Sequence, residues 1–220
     1  MTGSSPRRVR SWWGHWLGRP TPFFFALLVF GPRSAWGQWE FGPRLGLYVP
    51  VGALVDEPAA PAVPGARGVE KRQVGSIFLG LRTTVWLARR VGVEGNVAIS
   101  PSFVAVSDST GTHDKVANVV LTDVRGLLSL TPGRSVYVGA GIGLIDRNGA
   151  VWAGTPGTTR PALLLSAGAR TPIRSPMSMR IEVEDHISTA ELDQAQPGRV
   201  RPHHDFLWSI GVVIPIRRHR

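Results

Sequence analysis

The sequence predicts an all-β protein. The architecture is an eight-stranded antiparallel up-and-down transmembrane β-barrel over residues 38–220, preceded by a cleavable signal peptide over residues 1–37. Three observations predict it. Segments after Gly37 alternate apolar and polar residues with a period of two, which only a strand separates onto two faces. The connections are short after the second, fourth and sixth strands and longer after the first, third, fifth and seventh, as a barrel with turns at one rim and loops at the other requires. The polar phase carries charges of both signs, which suits a closed interior better than a solvated face.

The amino end reads as an export signal. Arg7, Arg8, Arg10 and Arg19 form a basic lead without an acid, and the apolar run Phe23 to Phe30 is too short to span a bilayer. Ser34-Ala35-Trp36-Gly37 supplies small residues, placing cleavage near Gly37-Gln38. With Arg33, this segment holds five arginines and no acid, so its removal lowers the formal net charge from +10 to +5. The high isoelectric point is therefore partly a targeting feature. The remaining basic cluster, Arg217-Arg218-His219-Arg220, reads as a solvated tail, and no nucleic-acid partner is expected of an exported chain.

The first strand, Arg44 to Val51, sets Leu45, Leu47, Val49 and Val51 against Arg44, Gly46 and Tyr48. Residues 53–73, rich in Pro, Gly and Ala, predict a long exposed loop. The second strand, Val74 to Leu87, faces Ile77, Leu79, Leu81, Val85 and Leu87 outward and Ser76, Gly80, Arg82 and Thr84 inward, and turns at Ala88-Arg89-Arg90. In the third, Val91 to Val104, the outward set Val91, Val93, Val97 and Ile99 opposes Glu94, Asn96 and Ser100. A polar loop is expected over 107–115. The fourth, Val116 to Leu130, opposes Val120, Val124, Leu128 and Leu130 to Asp123, Arg125 and Ser129, and Thr131-Pro132-Gly133-Arg134 is a strong turn.

The fifth strand, Ser135 to Ile145, places Tyr137, Gly139, Gly141 and Gly143 opposite Val136, Val138, Ala140, Ile142 and Leu144. No helix pattern follows these glycines, so they read as relief of crowding in a closed sheet and not as a phosphate loop. After a loop over 146–160, the sixth strand, Pro161 to Thr171, opposes Leu163, Leu165, Ala167 and Ala169 to Ser166, Gly168 and Arg170. The seventh, Met177 to Ile187, shows the segregation best, with Met179, Ile181, Val183 and Ile187 against Arg180, Glu182, Glu184 and His186. A last loop over 188–203 leads to the eighth, Asp205 to Ile216, with Phe206, Trp208, Ile210, Val212 and Ile214 in phase.

The candidate lumen network is therefore Arg44, Arg82, Glu94, Asp123, Arg125, Arg170, Arg180, Glu182, Glu184 and His186. Buried charges of this kind must pair, because an uncompensated one is strongly destabilising. The chain has no cysteine, which removes disulfides and thiolate metal sites. His203, His204 and His113 do not make a metal site either, since adjacent histidines on a strand point to opposite faces. No metal and no cofactor are expected.

With its export signal, its eight alternating strands and its closing Asp205-Phe-Leu-Trp-Ser-Ile-Gly-Val-Val-Ile-Pro-Ile216 strand, the chain resembles the small outer-membrane β-barrel proteins of Gram-negative bacteria, of the OmpA transmembrane-domain type. The resemblance implies outer-membrane localisation, with outer-membrane lipid, lipopolysaccharide and the barrel-assembly machinery as partners. It leaves the oligomeric state open, a monomer being the expectation. The function expected is non-enzymatic, a structural or surface-contact role with a lumen filled by side chains, although a narrow ion-conducting path stays open.

An enzymatic alternative rests on His186-Ile187-Ser188, which resembles the His-x-Ser pair on a late strand of the outer-membrane lipid A deacylases. That resemblance would make Ser188 the nucleophile and His186 its base, with Glu191, Glu184 or Asp205 as third member. Another alternative is a soluble periplasmic β-barrel with the apolar phase inside.

Overall fold

The computed structural model describes residues 38–57, 69–108, 111–152, 158–190 and 201–216. Residues 1–37, the basic tail and Glu191 lie outside the described residues, and with them the signal-peptide reading. The strands are β1 (Gln38–Val51), β2 (Val55–Glu57), β3 (Val69–Gln73), β4 (Ser76–Trp86), β5 (Val91–Asp108), β6 (Gly111–Ser129), β7 (Val136–Gly149), β8 (Thr159–Arg174), β9 (Met177–Ala190) and β10 (Arg201–Ile216). Eight of them close a ring in the order β5, β4, β1, β10, β9, β8, β7, β6, sealed by the β5–β6 pairing. Every adjacent pair in the ring is antiparallel. Closure leaves none of the eight ring strands as a free edge, which is what lets a sheet lie in hydrocarbon with its backbone groups paired.

The two faces of this ring are inverted relative to a soluble barrel. Leu45, Leu47, Ile77, Leu79, Ile142 and Leu163 point outward and are 53–69% exposed, with Trp208, Ile210 and Ile181 on the same surface. The inward phase holds the buried charges together with Tyr48, Phe78, Leu121, Ile145, Leu164 and Leu207. A soluble barrel with its aliphatic phase inside is thereby excluded.

Connections depart from the sequence expectation in one consistent way: the strands run further. Residues 53–73 are not all loop, because β3 pairs along the outer half of β5 from Gln73↔Val104 to Glu70↔Ser107, and β2 folds back on β3. Beyond a two-residue break at Val74-Gly75, β3 thus continues the line of β4. The polar loop expected over 107–115 is instead the tip of a long hairpin, with β5 and β6 paired out to Asp108↔Gly111. Likewise β7 continues to Gly149, and a short 3-10 turn, Ala150–Trp152, follows it. Hydropathy hides these extensions for a physical reason. Past the lipid, outward side chains need not be apolar, so the hydrogen-bond ladder continues while the alternation stops.

Lengths agree with that account. With 18 residues, β5 is roughly 60 Å long at about 3.3 Å per residue. Tilted about 40°, it rises about 45 Å, well beyond an apolar band about 25 Å tall. At the opposite rim the connections are tight: Leu87 to Arg90, Leu130 to Ser135 and Ser175-Pro176. The turn after β6 is closed by Arg134 N donating to Thr131 O at 3.1 Å, with Arg134 at φ 58°.

Candidate functional site

The central charge network of the barrel interior draws on five strands, β1, β4, β5, β6 and β9. Glu94, on β5, is fully buried and its two oxygens take five hydrogen bonds. Arg180, on β9, grips it fork to fork, Nη1 to Oε2 at 2.5 Å and Nη2 to Oε1 at 3.0 Å. Arg125, on β6, donates to Oε1 from Nη2 at 2.5 Å and Nε at 3.1 Å, and Thr84 Oγ1 donates to Oε2 at 2.5 Å. Such paired, charge-assisted bonds are the strong kind, and they offset part of the cost of removing the ions from water.

From Glu94 the network crosses the lumen. Arg125 Nη2 lies 3.0 Å from Glu182 Oε1 and 3.2 Å from Glu184 Oε1 on β9. Arg44, on β1, donates to the same Glu184 oxygen and lies 5.3 Å over the Phe78 ring. Arg82 Nη1, on β4, donates to Glu182 Oε2 at 2.7 Å. Arg180 also bonds Tyr137 Oη and lies 4.3 Å over that ring. Alternate residues of β9 supply most of the acceptors because a strand of period two sets Arg180, Glu182, Glu184 and His186 on one face.

Two smaller clusters flank this centre. Toward the turn rim, Arg170 Nη1 donates to both Glu40 oxygens, at 2.8 and 3.0 Å, and its Nε to Ser178 Oγ at 2.5 Å. Of the sequence-predicted charges, Arg170 is the one that is only half-buried. Toward the loop rim, Asp205 takes Tyr48 Oη at 2.5 Å and Arg147 Nη2 at 2.6 Å, with His203 Nε2 3.3 Å away. Between the centre and this upper cluster lies an apolar layer that includes Phe78, Leu121, Ile145 and Leu207.

His186 and Ser188 both face inward and are buried, as alternate residues of β9 must be. The pair expected of a hydrolase is not formed. Neither ring nitrogen of His186 has a hydrogen-bond partner, so Ser188 Oγ is not bonded to it. His186 Nε2 instead lies 3.6 Å from Asp123 Oδ2, across the lumen on β6. Of the candidate third members, Glu184 is taken up by Arg44 and Arg125, Asp205 by Tyr48 and Arg147, and Glu191 lies outside the described residues.

With the geometry in place, the likeness to known proteins is one of fold. No family model matches the sequence, and no curated protein matches it. Among solved structures, the crystal structure of the outer membrane protein OprG from Pseudomonas aeruginosa superposes with a TM-score of 0.56 at 15% identity, covering 81% of this chain and 96% of that one. This chain has the fold of the small outer-membrane β-barrels. The outer membrane protein AlkL, solved by solid-state NMR in DMPC lipid bilayers, also matches, with a TM-score of 0.53 at 14% identity over 86% of this chain and 95% of that one.

Several members of the barrel interior escape a sequence reading. Glu40 precedes the alternation that starts at Arg44, and Arg147 lies where hydropathy shows a loop, yet both are buried and paired. Tyr48, Tyr137 and Asn96 are already in the inward phase of the sequence, but as neutral groups they are not part of the charge network expected there. Asp185 is the converse case. It lies on the outward phase beside Ile187 and pairs with His204 Nδ1 at 2.9 Å, while Phe206 stacks on that imidazole with ring centroids 6.1 Å apart. The two adjacent histidines do take opposite faces, His203 buried and His204 outward.

Proposed function

We propose that the protein is a non-enzymatic outer-membrane β-barrel, exported on residues 1–37 and cleaved near Gly37-Gln38, with its lumen plugged by its own side chains. Its role is structural or one of surface contact, exerted through the strands and loops that rise past the lipid. Outer-membrane lipid and lipopolysaccharide are its immediate partners. The observation that carries this reading is the inverted distribution of side chains, aliphatic outside and ion-paired inside. A general diffusion pore is disfavoured because Arg125 and Arg180 tie β6 and β9 together across the lumen through Glu94, Glu182 and Glu184. Eight strands leave room for little besides those side chains.

The test is refolding of the full chain into lipid vesicles, followed by gel mobility with and without heating and by planar-bilayer recording. A heat-modifiable band without porin-sized conductance steps, and unchanged lipid A after incubation with lipopolysaccharide, is the expected result. Loss of an acyl chain from lipid A, or large ohmic channels, would overturn the reading.

A further inference from the structure

We propose that Asp123, Glu184 and His186 form a binding site for a single divalent transition-metal ion inside the barrel. Asp123 projects from β6, and Glu184 and His186 project from β9 across the lumen. Each offers a ligand atom, and the three atoms lie within 4.8 Å of one another. All three side chains are buried, at 5%, 0% and 0% exposure.

Convergence alone would be weak, since acids and histidines crowd this lumen throughout. What singles the group out is how its atoms are engaged. Asp123 Oδ1 takes a hydrogen bond from Asn96 Nδ2 at 2.8 Å, whereas Oδ2 has no partner. Glu184 Oε1 takes bonds from Arg44 and from Arg125, the latter at 3.2 Å, whereas Oε2 has none. Neither nitrogen of His186 makes a hydrogen bond, and its ion-pair contact of 3.6 Å from Nε2 to Asp123 Oδ2 is too long for one. One oxygen of each carboxylate is thus held in place and its twin is left over, that of Asp123 lying 3.6 Å from the imidazole. Buried polar atoms without partners are costly, and although other lumen side chains such as Arg82 and His203 also carry one, these three adjacent groups bring four together. Ligands oriented by neighbours through their other atom are the arrangement of a metal site, in which outer hydrogen bonds set the direction of the coordinating lone pairs.

The donor set selects the class of ion. One imidazole nitrogen with two carboxylate oxygens suits zinc, iron(II), cobalt or nickel, and three protein ligands leave coordination positions open. Calcium and magnesium are hard ions that take oxygen ligands, so the imidazole nitrogen disfavours them. Arg44 and Arg125 bond the other oxygen of Glu184, and their positive charges lower the affinity below that of a closed structural zinc site. Binding in the micromolar range is the expectation. The sequence could not show this group, because Asp123 is 61 positions from Glu184 and no spacing motif joins them.

The site is tested with cobalt(II) alone, titrated into the full chain refolded in micelles after chelator treatment. Visible d–d absorption should saturate at one equivalent. His186→Gln and Asp123→Asn should each weaken it at least tenfold, while His204→Gln, at the outward pair with Asp185, should leave it unchanged. Absence of the bands, equal binding in His186→Gln, or loss in His204→Gln, meaning a surface site only, would overturn the proposal. If a lumen variant fails to refold, the wild type still decides. Manganese(II) should broaden the imidazole resonances of His186 first, and broadening confined to the other histidines would refute the site.

Discussion

Glu94 is the residue on which the interior turns, because Arg125 and Arg180 both direct two donors at it. The pairing itself is weak evidence for stability, since desolvation consumes much of the Coulombic gain. Removing one partner is another matter, because the remaining ions stay buried with part of their compensation lost. Glu94→Gln keeps the shape and removes the charge, leaving two guanidinium groups facing a neutral amide in a closed barrel. The expected cost is about 3–5 kcal/mol, read as a lower urea midpoint for loss of the compact gel form. Glu70, whose ion pair with Arg72 is exposed on β3, provides the contrast. Glu70→Gln should cost under about 1 kcal/mol, so equal losses in the two variants would mean that the central network does not support the barrel.

At the scale of the strand, β7 and β8 show how packing inside a small barrel limits the sequence. A Cβ at Gly168 would lie 1.9 Å from Tyr137 Oη, and one at Gly141 would lie 2.2 Å from Val124 O. The Tyr137 ring crosses the place where a side chain on β8 would stand, and in doing so reaches Arg180. Gly168→Val should therefore sharply reduce the yield of heat-modifiable barrel, and adding Tyr137→Ala should restore part of it. Rescue failing altogether would show that Gly168 serves the backbone and not the Tyr137 ring. The same strands show what a sequence can tell. Alternation in Val136 to Leu144 or Met179 to Val183 is legible because lipid requires every outward position to be apolar and the lumen takes polar groups or glycine. It fails at Val69–Gln73 and Thr112–Lys115, where outward positions no longer have to be apolar and the ladder continues unmarked. The interior site was legible only as a phase. Which charges meet across the lumen depends on closure and register, and Asp123 opposite His186 follows from those alone.

For the whole molecule, the decisive property is that its outer surface is the apolar one. Leu, Ile and Val on the ring's exterior would be a liability in water, whereas they cost nothing in hydrocarbon, and the buried ions inside are shielded from the lipid by one layer of backbone. This gives the surface a depth coordinate. On β10, Ile210 pairs with Leu45 and Ile181 midway along the strand, while Ile216 pairs with Trp39 at the turn rim. Both are exposed. A charge placed at the bilayer midplane on a barrel exterior costs about 2–4 kcal/mol for arginine, falling to about 0–1 near the interface. Ile210→Arg should accordingly lower folding stability in vesicles by several-fold more than Ile216→Arg, measured by denaturant titration under the same lipid. In a soluble barrel the order would vanish, because an arginine on an exposed strand meets water at either position. Equal effects of the two substitutions would therefore contradict a membrane-spanning barrel, however well its backbone matches one.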